Sequence, residues 1–280
     1  MFSVRWFVNH SFSYIKRASV RRVLFFNIKT ANKFAYIRKK SYLCTQMVKV
    51  PTHSAFYRQV MAVVFPTICP FCRQAVVNED GEVCEHCLPL LPRTEQIQTR
   101  GNITEDKFIK HPHFVRGAAW LHYGDERVRD LIQQMKYKNR PIIGYSLGKA
   151  LGKELAEQGF MDGIDVILPI PLHPQRLRNR GYNQAEYIAV GIGEATDIPV
   201  DATHLERIVN NPQQAKLDDR ERKDNVTHIF AVNHPEEMYR KHILLVDDVV
   251  TTGATLNSCI AAMAPFRGCE VSIVTLAKAH

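Results

Sequence analysis

At 280 residues the chain has room for one ordinary globular domain and something small beside it, and its 45% apolar and 23% charged content is that of a folded protein. No apolar run nears the roughly 18 residues that a membrane span needs, so a membrane-spanning protein is not expected. The formal net charge of +9 points towards nucleic acid, yet residues 1–50 alone hold 11 of the 37 Lys and Arg and no acid, which leaves the rest at 26 bases against 28 acids, a net of −2.

Taken in chain order, residues 1–52 are rich in Arg, Ser and aromatics and read as a basic extension outside the fold. Three origins fit it: upstream sequence translated from a start codon set too early, with Met47 as the internal alternative, a disordered basic tail, or a targeting peptide. A secretory signal does not fit, because VLFF at 23–26 is too short for an apolar core and no small-residue cleavage site follows. Next, Ala55, Phe56, Val60, Val63 and Val64 lie at helical spacing before Pro66.

The helix leads into Cys69-Pro-Phe-Cys72 and Cys84-Glu-His-Cys87, a C-x2-C-x11-C-x2-C pattern. Two such turns can close four thiolates into a tetrahedron around Zn²⁺, with no vacant position and hence a structural role. So short a segment has no core of its own, so metal would supply most of its folding free energy. A redox pair or two disulfides are the competing readings, and His86 could replace one thiolate, although its place between Glu85 and Cys87 favours a role outside the ligand set. Two C-x-x-C pairs suit a reducing compartment, which places the protein in the cytosol. Cys44, Cys259 and Cys269 stand alone, and the last two read as small buried hydrophobes.

Residues 88–112 carry Pro89, Pro92, Gly101 and Pro112 among polar residues with no sustained period, and read as a linker or irregular segment. His111 and His113, either side of Pro112, read as surface residues. From Gly117 onward apolar runs alternate with helical periods. AAWLHY at 118–123 reads as a strand. Val128, Leu131, Ile132 and Met135 mark a helix, and Leu147, Ala150, Leu151 and Leu155 a second. VILPI at 166–170 is a strand, followed by a helix through Ala185, Ile188, Ala189 and Ile192. The strand ILLV at 243–246, a helix at 255–263 and the strand VSIVTLA at 271–277 complete the order. Wholly apolar strands alternating with helices predict a mostly parallel sheet covered on both faces, with ligands beyond the carboxyl ends of the strands.

Residues 243–256, ILLVDDVVTTGATL, join a buried strand, two carboxylates, a loop of small hydroxylic residues and a helix start. Thr251, Thr252, Gly253, Ala254 and Thr255 offer N–H groups and hydroxyls at a helix N-terminus, where the dipole favours a dianionic phosphate. Asp247 and Asp248 can accept from ribose hydroxyls and help to hold Mg²⁺. Helix capping alone would account for a Thr or an Asp here, but not for the whole arrangement. Neither G-x-x-x-x-G-K-[ST] nor G-x-G-x-x-G occurs. Upstream, Pro169-Ile-Pro-Leu-His173 ends a strand and precedes Arg176, Arg178 and Arg180, whose planar guanidinium groups suit a diphosphate. Asn183 and Gln184 either cap or orient this element. The polar stretch 210–227, with Gln214, Arg222 and Asn225, is long enough to be a flap that excludes water.

The segment 243–256 resembles the 5-phosphoribosyl-1-pyrophosphate (PRPP) motif of type I phosphoribosyltransferases. With FPTICPFC at 65–72, MKYKNR at 135–140, LPIPLHPQRLRNRGYNQ at 168–184 and the order Arg207, Gln214, Leu217, Arg222, Asn225, Phe230, the resemblance widens to the ComF family. It covers residues 64–277 and implies a type I phosphoribosyltransferase-like α/β domain, mostly parallel with flanking helices, behind a small N-terminal zinc ribbon. The divisions would be 1–52 extension, 53–92 helix and ribbon, 93–115 linker and 116–280 domain.

The same resemblance implies a pyrophosphate loop at Leu168, Pro169 and Ile170, helped by Arg176 and Arg180. It also implies PRPP with Mg²⁺ as ligand, with Asp247 and Asp248 at the reacting centre. Two functions follow: transfer of phosphoribosyl to an unidentified nitrogen acceptor, or binding without turnover in DNA uptake, beside a competence helicase and single-stranded DNA.

Overall fold

A computed structural model describes residues 68–74, 82–209 and 229–279. Its central sheet has four parallel strands in the order β1-β6-β5-β2: β1 is Phe114–His122, β2 Val166–Pro169, β5 His242–Val250 and β6 Glu270–Lys278. A separate antiparallel hairpin joins β3 (Leu205–Arg207) to β4 (Phe230–Val232). The helices are α1 Glu126–Tyr137, α2 Pro141–Glu157, α3 Pro174–Arg180, α4 Gln184–Thr196 and α5 Ala254–Met263.

Each element expected from periodicity between 118 and 277 is present, and the differences lie at the ends. The apolar run ILLV suggests four strand residues, whereas β5 has nine, because β6 offers it a partner as far as Val250↔Lys278. β2 stops four residues earlier, at Pro169↔Val246. The residues 247–250 therefore stand beyond the end of β2, and a crevice opens at the carboxyl edge of the sheet.

Side chains alternate across the pleat and build two cores. Ala118, Trp120, Leu244, Val246, Val274 and Leu276 face α1, α2 and α4, while Ala119, Ile243, Leu245, Val271 and Ile273 face α5 and the β3–β4 hairpin. The helices α2 and α4 touch backbone to backbone: a Cβ on Gly148 would run into the carbonyl of Ile188, and one on Gly191 into that of Tyr145. Cys259 and Cys269 are buried, as expected of small apolar side chains.

Residues 88–112 are irregular, as expected, yet they are not a loose connection. β1 is an edge strand, and its outer groups are satisfied partly by the backbone of residues 92–94, where Thr94 N donates to Trp120 O (3.0 Å) and His122 N to Pro92 O (3.2 Å), and partly by side chains. Gln96 Oε1 accepts from Ala119 N (3.1 Å), Glu105 Oε1 accepts from Gly117 N (3.0 Å), and Asn102 Nδ2 donates to Gly117 O (2.8 Å). The polar residues that hide any period are those that close the sheet edge. Leu91, Ile97 and Phe108 are buried among them.

The cysteine region shares a core with the sheet. Cys69, Val83, Cys87 and Leu91 belong to the same apolar cluster as Trp120, Val128 and Leu131. Glu82 adds a polar clamp: Arg140 Nε lies 2.7 Å from its carboxylate, and Glu82 N donates to Ser146 Oγ (3.1 Å). Among the described residues no helix is long and apolar enough to cross a membrane. The extension 1–52 and the helical spacing at 55–64 lie outside the described residues.

Candidate functional site: a crevice at the end of β5

The turn after β5 is built for close approach. Gly253 takes φ +81°, in the left-handed region, and is the N-cap of α5, giving that helix no side-chain cap. A Cβ there would come within 3.1 Å of the Phe108 ring. Thr251 and Thr252 are exposed, and Thr252 Oγ1 accepts from Ala254 N (3.3 Å). The first turn of α5 holds no acid, so the positive end of its dipole is left uncompensated by the chain itself.

Support comes from behind the loop. Asn257 Nδ2 donates to Gly253 O (3.1 Å), and His111 Nε2 donates to Asn257 Oδ1 (2.8 Å). His113 Nδ1 makes a 3.0 Å contact with Cys269 O. Neither histidine is the plain surface residue expected from sequence. The signal that could have found them is their place in a segment that must cover an edge strand.

Adjacent residues of one strand point to opposite faces, and this separates the two acids. Asp248 is 4% exposed and turns towards the helices. One of its oxygens, Oδ2, takes Lys136 Nζ at 2.9 Å and Gln184 Nε2 at 2.9 Å. Gln184 Oε1 in turn accepts from Arg180 Nη1 (2.5 Å), and the Arg180 guanidinium lies over the Tyr137 ring at 5.5 Å. Sequence reasoning left Gln184 undecided and saw Lys136 only inside MKYKNR. Here the two orient an acid.

Asp247 faces the other way, towards the buried Arg207 and the Cys259 thiol. Solvent still touches it, but burial, followed by the charge of Asp248, pushes its carboxyl up to about 7. The stability consequence has a definite sign. The folded form holds its proton above the ordinary carboxylate range, so this contribution is full below about pH 4 and is lost as pH rises through about 7. Asp247→Asn should therefore flatten the stability of the ligand-free protein between pH 5 and 8, and urea unfolding at both ends of that interval checks it. An unchanged slope would contradict the assignment.

On the β2 side, the side chains of Leu168 and Ile170 are buried. The backbone of Ile170 is engaged too: its N–H donates to Val246 O (2.9 Å), and its carbonyl accepts from Asn183 Nδ2 (3.0 Å). Asn183 also caps α4 by accepting from Ala185 N (3.2 Å). The loop through Pro169 is thus fixed from within. Arg176, on α3, is exposed, and its charge reaches Arg207. Gln214, Arg222 and Asn225 lie outside the described residues.

The four Sγ atoms of Cys69, Cys72, Cys84 and Cys87 lie within 4.8 Å of one another, with Cys72 Sγ 3.7 Å from Cys84 Sγ. Burial and the neighbouring sulfurs push the Cys87 thiol up to about 12. At Cys69 burial also raises, but N–H donors from Cys84, Cys72 and Phe71 outweigh it and hold the thiol at about 7. Such a tetrad fits a tetrahedral ion and can hold structural zinc. His86 is exposed.

A parallel sheet with a strand–acid–threonine–helix crevice, set behind a four-cysteine cluster, defines a phosphoribosyltransferase-type protein. Residues 202–280 match the phosphoribosyl transferase domain family. The chain belongs to the ComF family: it is 31% identical to Competence protein F of Haemophilus influenzae over 217 residues, which are 76% of this chain and 90% of that protein. It is 28% identical to the DNA utilization protein YhgH of Escherichia coli strain K12 over 213 residues, 75% of this chain and 89% of that one. It is 25% identical to Competence protein ComFC of Bacillus subtilis over 192 residues, 68% and 75% of the two chains.

Proposed function

We propose that the crevice binds a 5-phosphoribosyl ligand, PRPP foremost, together with Mg²⁺, and that the protein serves DNA uptake in the cytosol, as the names of its relatives suggest. One observation carries the proposal. The N-terminus of α5, where the N-cap Gly253 offers no side chain and the exposed Thr251 and Thr252 precede it, follows one short turn after the strand of Asp247, which among the described residues has no lysine at salt-bridge distance. Phosphate suits the first group and a cation with ribose hydroxyls suits the second.

In this reading the 5′-phosphate is held by residues 251–255 and the ribose by Asp247, with Asp248 held in place beside it. Arg176 meets the pyrophosphate from α3, and Arg180 steadies Gln184 and so Asp248. Bound Mg²⁺ would neutralise the departing pyrophosphate. Transfer to a nitrogen acceptor would then rest on charge stabilisation. Binding without turnover has one observation in its favour: Asp248 is already paired to Lys136 and Gln184, so one acid of the two is left to serve a ligand.

Calorimetry on variants tests the site. Thr252→Val should weaken PRPP and ribose 5-phosphate alike, by roughly ten- to a hundredfold for one lost charge-assisted hydrogen bond worth about 1.5 to 3 kcal/mol. Arg176→Ala should weaken PRPP far more than ribose 5-phosphate. Equal losses in Arg176→Ala would remove that arginine from the pyrophosphate side. Pyrophosphate release from PRPP with a panel of bases and amines separates turnover from binding alone.

A further inference from the structure

We propose that Arg207 is a second diphosphate-binding arginine of the crevice, acting with Arg176, so that the pyrophosphate of the ligand lies between a guanidinium from α3 and one from the β3–β4 hairpin. The proposal rests on the phosphoribosyl reading above and adds to it a residue that sets selectivity for PRPP over ribose 5-phosphate.

Arg207 is the last residue of β3 and stands opposite Phe230 of β4. Leu205 and Phe230 anchor the hairpin in the apolar cluster that holds Leu256, Cys259 and Ile260 of α5. Side chains alternate along a strand, so Arg207 points to the same buried side as Leu205, while Glu206 between them is exposed. From there the Arg207 guanidinium is within electrostatic reach of Arg176 on α3, the Cys259 thiol on α5 and Asp247 on β5. These are the three elements that meet at the carboxyl edge of the sheet, where the crevice opens.

What sets Arg207 apart is a buried charge with no counter-charge. It is 6% exposed. Among the described residues the other buried acids and the buried imidazole all have partners: Glu82 lies against Arg140, Glu105 against Arg100, Asp248 against Lys136, and His204 between Asp201 and Glu237. Arg207 makes no ion pair among the described residues, so Asp247 does not serve it as a salt-bridge partner. Its Nε donates to Val209 O (3.2 Å), and its Cζ lies 5.6 Å from the centre of the Phe230 ring. Those two contacts hold the fork in place and leave both Nη groups without a hydrogen-bond partner among the described residues. Burying an unpaired charge is costly, and the like charge of Arg176 adds to the cost. An anion placed between the two relieves both, and the paired N–H groups of a guanidinium match the oxygens of a phosphate.

Calorimetry with Mg²⁺ present separates this role from a structural one. Inorganic pyrophosphate, PRPP and ribose 5-phosphate are each titrated into the natural full chain, Arg207→Gln and Arg207→Lys. Arg207→Gln should weaken pyrophosphate and PRPP by about tenfold or more, as expected for a lost charge-assisted hydrogen bond, and leave ribose 5-phosphate within about twofold. Arg207→Lys keeps the charge and loses the fork, so it should show the same selective loss in smaller measure. It decides the matter if the glutamine variant does not fold. Equal losses for PRPP and ribose 5-phosphate, or pyrophosphate affinity unchanged in both variants, overturn the proposal while leaving the crevice a phosphoribosyl site. Failure of the natural chain to bind either PRPP or ribose 5-phosphate removes the phosphoribosyl reading itself, and this proposal with it.

Discussion

Replacing Lys136 with methionine should cost the fold about 3 to 5 kcal/mol, the usual loss when one partner of a buried ion pair is removed. The two side chains are 22% and 6% exposed, and Lys136 Nζ sits 2.9 Å from Asp248 Oδ2. Without the ammonium, the Asp248 charge would keep only the Gln184 amide as a described partner, with Asp247 one residue away. Adding Asp248→Asn to the methionine variant should recover most of the loss, because the stranded charge goes with it. Urea unfolding of the two single variants and the double variant measures the coupling. Additive losses would mean that the pair does not hold the acid.

Cys84→Ser should lower the melting temperature of the entire described unit, by about 10 °C or more. Zinc contributes of order 10 kcal/mol to the folding of isolated fingers. A loss of even about 5 kcal/mol, at roughly 2 to 4 °C per kcal/mol for a domain of this size, gives that shift. Sequence alone suggests a ribbon that unfolds by itself and leaves the domain behind. The shared packing of Cys69, Val83 and Cys87 with Trp120 and Leu131 argues for a single transition. A melt unaltered in the serine variant and on chelation would show that the cluster contributes nothing to the sheet.

The strands and helices from 118 to 277 were legible because apolar spacing records burial directly, as at Val128, Leu131, Ile132 and Met135, all buried in α1. The cysteine quartet and the strand–acid–threonine–helix segment were legible because their chemistry is local in sequence. What was hidden acts across distance. Lys136 and Asp248 are 112 positions apart and His111 and Asn257 are 146, so no local period or motif joins them. Segment 93–113 hid its role because it binds β1 through Gln96, Asn102 and Glu105, and polar residues doing structural work look like those of a loop. The opposite facing of Asp247 and Asp248 needed only the pleat, once β5 is known to run on through them.

The most direct measurement is a calorimetric titration of the natural full chain with PRPP, in the presence and absence of Mg²⁺, with ribose 5-phosphate as competitor. A phosphoribosyl site predicts saturable binding that strengthens with Mg²⁺ and is displaced by ribose 5-phosphate. No binding of either ligand with Mg²⁺ present, or binding of PRPP that ribose 5-phosphate cannot displace, would contradict it.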